Sequence, residues 1–162
     1  MGVFLVTAIN TWLKKEKKLW NCDFIGVAVN VAEPLAAKEI RWRYTAGPED
    51  LAHQKIRLRI GRGIAGLVWK TARPQSEQHL QEQPEKLMAY PISRTEKLDA
   101  ALAVPVLRPS ASREGQPQEV IGVLMVGYRQ NRFFSPEEIA QLSQQAIAVA
   151  ELLQGGVGHE SI

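Results

Sequence analysis

The stretch RIGRGIAGLVWKTARP, Arg59 to Pro74, places three glycines before and inside a run of apolar residues at helical spacing. Gly61 and Gly63 free the backbone for a tight turn at positive φ, and the run Ile64 to Thr71 predicts a helix that Pro74 brings to an end. Such a helix start leaves backbone N–H groups without helical partners and carries about half a positive charge, which suits a small anion. Equally, the glycines serve simply to make the corner, with water on the amides. Gly61, Gly63 and Gly66 also satisfy G-x-G-x-x-G. A dinucleotide fold, however, needs a parallel strand–helix–strand unit with an acidic residue about 20 positions on. The flanking segments read as antiparallel, which argues against a nucleotide cofactor.

Upstream of the glycines, Asp23–Val31 and Glu39–Gly47 alternate as two strands of an antiparallel hairpin, with Ile40, Trp42 and Tyr44 on one side of the second. Trp42 fits a core position as readily as a ligand contact. Lys55–Ile60 alternates again and leads into the glycine turn. Before the hairpin, Val3–Leu19 carries Leu5, Ile9, Trp12 and Leu13 on one helical face, and its lysines gather at the end where they complement the helix dipole. Downstream, QSEQ suits a brief strand, and the polar stretch 79–98 holds a short helix around PEKLMAYPI and reads as the loosest part of the chain. Ala100–Leu107 is a strand interrupted by Pro105, which suits an edge or a bulge. Arg108–Gln118 is a loop by composition, and Glu119–Arg129 is an apolar strand for the sheet centre. Ser135, Pro136 and Glu138 form a capping box ahead of a helix whose buried face runs Ile139, Leu142, Ile147 and Leu152 to Leu153. The stretch after it, GGVGHESI, reads as a frayed tail.

At 162 residues the chain has the length of one domain, and 45% hydrophobic with 23% charged residues argues against disorder. The net charge of +3 is carried largely by Lys14, Lys15, Lys17 and Lys18 and by Arg41, Arg43, Arg57, Arg59 and Arg62. Solvated faces account for that pattern, and no helix-turn-helix, zinc-finger or RNP-type motif directs it toward nucleic acid. The single cysteine, Cys22, excludes an internal disulfide and a cysteine metal cluster. His53, His79 and His159 lack metal-ligand spacing and read as surface residues. No nucleophile elbow or Walker-type loop is present. No apolar run is long enough for a membrane span, and GVFLVTAI lacks the basic region of a signal peptide, so the expected address is cytoplasmic.

The order of elements, together with GRGIAGLVWKTARPQ, AALAVPVL, IGVLMVGYR and FFSPEEIAQLSQQAIAVAELL, resembles a GAF domain over nearly the whole chain. That resemblance implies an α+β fold: a central antiparallel sheet of five or six strands, terminal helices on one face and a ligand pocket on the other. It sets a single domain at 1–154 and a C-terminal tail at 155–162. Within the superfamily, the cyclic-nucleotide motif N-K-x-F-D-E is missing, and Cys22 is poorly situated for a bilin. The free methionine sulfoxide reductases use several catalytic cysteines.

Three separated pieces are similar instead to the single-domain nitrate receptors, NreA type, of bacterial nitrate-regulated two-component systems. These are Trp42, the Ile64–Ala65 helix start, and Tyr90–Pro91–Ile92. The resemblance implies that Trp42, Ile64, Ala65, Tyr90, Pro91 and Ile92 surround one nitrate ion, with no metal or other cofactor. It further implies a non-enzymatic cytoplasmic sensor whose partner is a sensor histidine kinase. The helices at 3–19 and 135–153 offer a face for that kinase or for a homodimer, or simply cover one side of the sheet. Neither nucleic acid nor membrane is expected as a partner. The remaining alternatives are a GAF sensor for another small ligand and a methionine sulfoxide reductase-like enzyme.

Overall fold

The two most apolar segments become the middle of the sheet. In a computed structural model that describes residues 2–109 and 118–160, and side chains over 4–109 and 118–154, β1 (Phe24–Asn30) and β5 (Val120–Tyr128) lie side by side. β2 (Ile40–Ala46) flanks β1, β4 (Ala100–Leu107) flanks β5, and β3 (Gln75–Glu77) closes the far edge, giving the antiparallel order β2-β1-β5-β4-β3. Pro105 pairs with Val123 on the β5 side, while β3 reaches only Ala101 to Ala103 of β4. The proline thus sits where β4 is locally an edge, so its missing N–H breaks no ladder bond. The loop expected between β4 and β5 lies mostly outside the described residues.

Each face of the sheet carries its own apolar cluster. On one, α1 (Gly2–Trp20) contributes Ile9, Leu13 and Trp20, and α5 (Pro136–Glu160) contributes Leu142, Ala146, Val149 and Ala150. Ile147, expected on that buried face, is instead 51% exposed. The helix turns its small residues inward, so Ala146 and Ala150 take the seam and the neighbouring β-branched residue points away. α5 also continues past Leu153 to Glu160. Its start is a reciprocal box: the Glu138 N–H donates to Ser135 Oγ at 3.1 Å and the Ser135 N–H donates to Glu138 Oε1 at 3.0 Å.

The other face is covered by α2 (Gly63–Thr71), α3 (Pro84–Ala89) and α4 (Pro91–Thr95), with 3-10 turns at Ala52–Lys55 and Leu80–Glu82. Two short helices therefore replace the one expected around PEKLMAYPI, because Pro91 starts a new helix where its absent N–H costs nothing. The alternating Lys55–Ile60 forms no strand; a single bridge, Ile40 to Leu58, is all it adds to β2. The stretch expected to be loosest buries Leu80, Tyr90, Ile92 and Leu98.

Strict alternation puts Tyr44 beside Trp42, but the register between β1 and β2 shifts at Val27/Ala28, where Tyr44 and Trp42 face consecutive β1 residues. Arg43 is the extra residue, exposed and stacked 5.3 Å over the Tyr44 ring. As a result Ile40 and Trp42 join the α2 face, and Tyr44 and Ala46 join the α1 face.

Gly61 and Gly63 take φ of +85° and +67°, and the Gly61 N–H donates to the Gly66 carbonyl at 2.8 Å. A Cβ on Gly66 would lie 2.4 Å from the Arg59 carbonyl oxygen, so the turn closes only on a glycine. Gly66→Ala is expected to lower the unfolding free energy by about 1–3 kcal/mol through forced backbone displacement, measurable by urea denaturation.

Candidate functional site

α2 begins at Gly63 with Arg62 as its N-cap, and no side chain caps it. Ile64 and Ala65 are its second and third residues, both fully buried, and among the described residues nothing accepts their N–H groups. The same holds for the Ile92 N–H at the start of α4, where Pro91 contributes no donor and Tyr90 is the N-cap. Trp42, Ile64, Ala65, Tyr90 and Ile92 all belong to one buried apolar cluster, and Pro91, half-buried, links the last two. The fold therefore brings the six residues singled out in the sequence to one side of one sheet.

Trp42 is 3% exposed, yet its indole Nε1 has no hydrogen-bond partner. An unpaired buried donor of this kind costs about 1–3 kcal/mol. Its ring is held edge-on to Phe24, centroids 5.7 Å apart at 87°. A Cβ on Gly26 would lie 2.8 Å from the Phe24 ring and 3.1 Å from the Trp42 ring, so this glycine makes room for the pair. The Ser93 hydroxyl, next to Ile92, is a second buried group without a partner.

Two buried carboxylates on this side of the sheet are each paired with a cation. Glu77 on β3 meets Lys86 Nζ at 2.5 Å and accepts from the Tyr90 hydroxyl at 3.2 Å and from Gln75 Nε2 at 2.9 Å. Burial and the Glu77 carboxylate push the Tyr90 phenol up to about 12, so it stays a donor at neutral pH. Glu96 meets Arg129 at 3.3 Å; burial raises its pKa, and the guanidinium opposes that rise. Sequence reasoning missed Glu77 and Ser93. Glu77 was legible only as the inward position of a three-residue alternation in QSE. The arginine-rich face has a local explanation: Arg41 donates to the Gln54 carbonyl at 2.5 Å, and Arg59 donates to the carbonyls of Ala37 and Lys38.

No family model matches the chain, and no curated protein does. Solved structures do. An NreA protein from Staphylococcus aureus, mutated in its nitrate binding site, is 30% identical with a TM-score of 0.67, the match covering 83% of this chain and 98% of that one. The chain belongs to the NreA-like GAF family. The GAF domain of a phosphoenolpyruvate-protein phosphotransferase from Coxiella burnetii is 21% identical with a TM-score of 0.71, over 98% of this chain and 87% of that one. A type II free methionine-R-sulfoxide reductase from Thermoplasma acidophilum is 20% identical with a TM-score of 0.68, over 94% and 93%. Both share the GAF fold. No described helix is long and apolar enough to cross a membrane.

Of the histidines expected at the surface, His79 is exposed, but His53 is 4% exposed, in the 3-10 turn that packs on α4. The reason is the bridge from Leu58 to Ile40, which folds this turn over the β2 edge. The side chain of His159 lies outside the described residues. His53 Nε2 lies 3.3 Å from Thr45 Oγ1 and Nδ1 has no partner. Burial lowers its pKa below the ordinary 6.5, against the opposing pull of the Asp50 carbonyl and carboxylate. The unfolded chain binds this proton more readily, so folding stability should fall as pH drops through 6.5, above the carboxylate range. His53→Gln should flatten that part of the profile in urea titrations across pH; an unchanged slope would assign it to another group.

Proposed function

We propose that this protein is a cytoplasmic nitrate sensor that binds the ion between the starts of α2 and α4 and the Trp42 indole, and modulates a partner sensor histidine kinase. The observation that carries this reading is the buried Trp42 Nε1 without a partner, in the same cluster as two uncapped helix starts. Nitrate is planar, singly charged and accepts hydrogen bonds only. A set of N–H donors from Trp42, Ile64, Ala65 and Ile92, with an apolar surround from Tyr90 and Pro91, suits it.

Each donor to the anion would contribute about 1.5–3 kcal/mol, and the start of the nine-residue α2 adds a dipole contribution of about 0.3–2 kcal/mol. No cationic side chain is needed in the pocket, which favours a monoanion over doubly charged sulfate. Ion binding reaches the kinase only if nitrate binds the free and complexed forms with different affinity. α4 is the natural carrier, since it holds both a donor and the Tyr90 cap. A reductase role finds no support in Cys22, the sole thiol. It is buried, and burial pushes it up to about 12, which withholds the thiolate such chemistry requires.

Calorimetric titration should give saturable one-to-one nitrate binding with no heat from sulfate. Trp42→Phe, which keeps a ring and removes the N–H, should weaken nitrate by about tenfold or more. Anion-free, folded protein that gives no heat with nitrate would overturn the reading.

A further inference from the structure

The Glu77 carboxylate is buried on the pocket side of the sheet and accepts a hydrogen bond from a proposed site residue, Tyr90. Its side chain is 3% exposed, while the side chain of Lys86, which neutralises it, is 43% exposed. Three groups converge on it: Gln75 from its own strand, Lys86 from α3, and the Tyr90 hydroxyl, which belongs to the residue capping α4. Glu77 itself is fixed by the ladder through its pairing with Ala101 of β4. A rigid strand thus holds, through one carboxylate, both the helix before the Tyr90–Pro91 corner and the residue at that corner.

We propose that Glu77 is a positioning residue for the anion pocket, clasping Lys86 and Tyr90 so that the Ile92 N–H at the start of α4 is held at the sheet. The inference rests on the nitrate reading and names the residue that sets its geometry. The clasp has a second consequence. A lone buried carboxylate bonded to Tyr90 would repel an incoming anion, and Lys86 cancels that field at 2.5 Å. The pair therefore combines a firm hold on α4 with electrical neutrality near the pocket. Lys86 alone is not the anchor, because its ammonium is tethered only through Glu77 among the described residues.

Charge and position predict opposite signs for one variant. Glu77→Gln removes a negative charge, so an electrostatic role alone would tighten nitrate. Loss of positioning weakens it, by about tenfold for the equivalent of one misplaced donor. Tyr90→Phe should weaken nitrate similarly, and the double variant should lose no more than either single one, since both cut the same link. Lys86→Gln should weaken binding and Lys86→Arg should restore it. Nitrate titrations by calorimetry and by tryptophan fluorescence, with thermal melts alongside, read these effects. Wild-type binding with Glu77→Gln and Tyr90→Phe unchanged, or with Glu77→Gln tighter, would overturn the clasp while leaving the receptor reading intact. A wild-type protein that ignores nitrate would overturn that reading first and this inference with it. A lowered melting temperature with full nitrate affinity would reduce Glu77 to a purely structural role and equally overturn the proposal.

Discussion

One extra residue in β2, Arg43, lets a single edge strand serve two apolar cores. Without the bulge, side chains two apart stay on one face, and Trp42 would share its side with Tyr44 and Ala46. With it, Tyr44 and Ala46 pack toward α1, and Trp42 turns to the α2 side with Ile40. The Trp42 part of the candidate site follows from that switch. Phe24 can meet Trp42 edge-on, Gly26 leaves the space between them, and the indole N–H ends inside an apolar cluster with nothing to receive it.

An apolar cluster that retains unpaired donors is costly to keep folded, and the cost is informative. A purely structural core would replace Trp42 by a ring without an N–H and cap the start of α2 with a serine or aspartate. This chain does neither. It uses Arg62, whose side chain makes no cap, and spends Gly61, Gly63 and Gly66 on a corner so tight that Gly66 has the Arg59 carbonyl against it. The electrostatics agree: Glu77 and Glu96, buried on this side of the molecule, each meet a cation. What is left is an apolar cluster with an unpaired indole N–H beside two uncapped helix starts, the arrangement on which the nitrate proposal rests.

Much of this was legible in the sequence because local rules and tertiary packing pointed the same way. The glycine corner, the capping box at Ser135 and Glu138, and the central place of β5 each rest on a short-range signal that the fold obeys. The failures share another origin. The face of Tyr44 depends on a one-residue bulge that alternation cannot show. The exposure of Ile147 depends on which α5 residues meet the sheet, and small alanines won that seam. The burial of His53 and the clasp at Glu77 are contacts between distant segments, and a polar residue in a short or irregular stretch carries no periodicity to reveal them.

Nitrate recognition of the proposed kind requires N–H groups from β2, α2 and α4 to converge on one anion. Amide and indole proton–nitrogen correlation spectra recorded during a nitrate titration test it most directly. The Trp42 indole and the backbone amides of Ile64, Ala65 and Ile92 should shift together on one saturating curve, with sulfate leaving them in place. Nitrate shifts confined to other residues, or a Trp42 indole that stays fixed while the amides move, would contradict it.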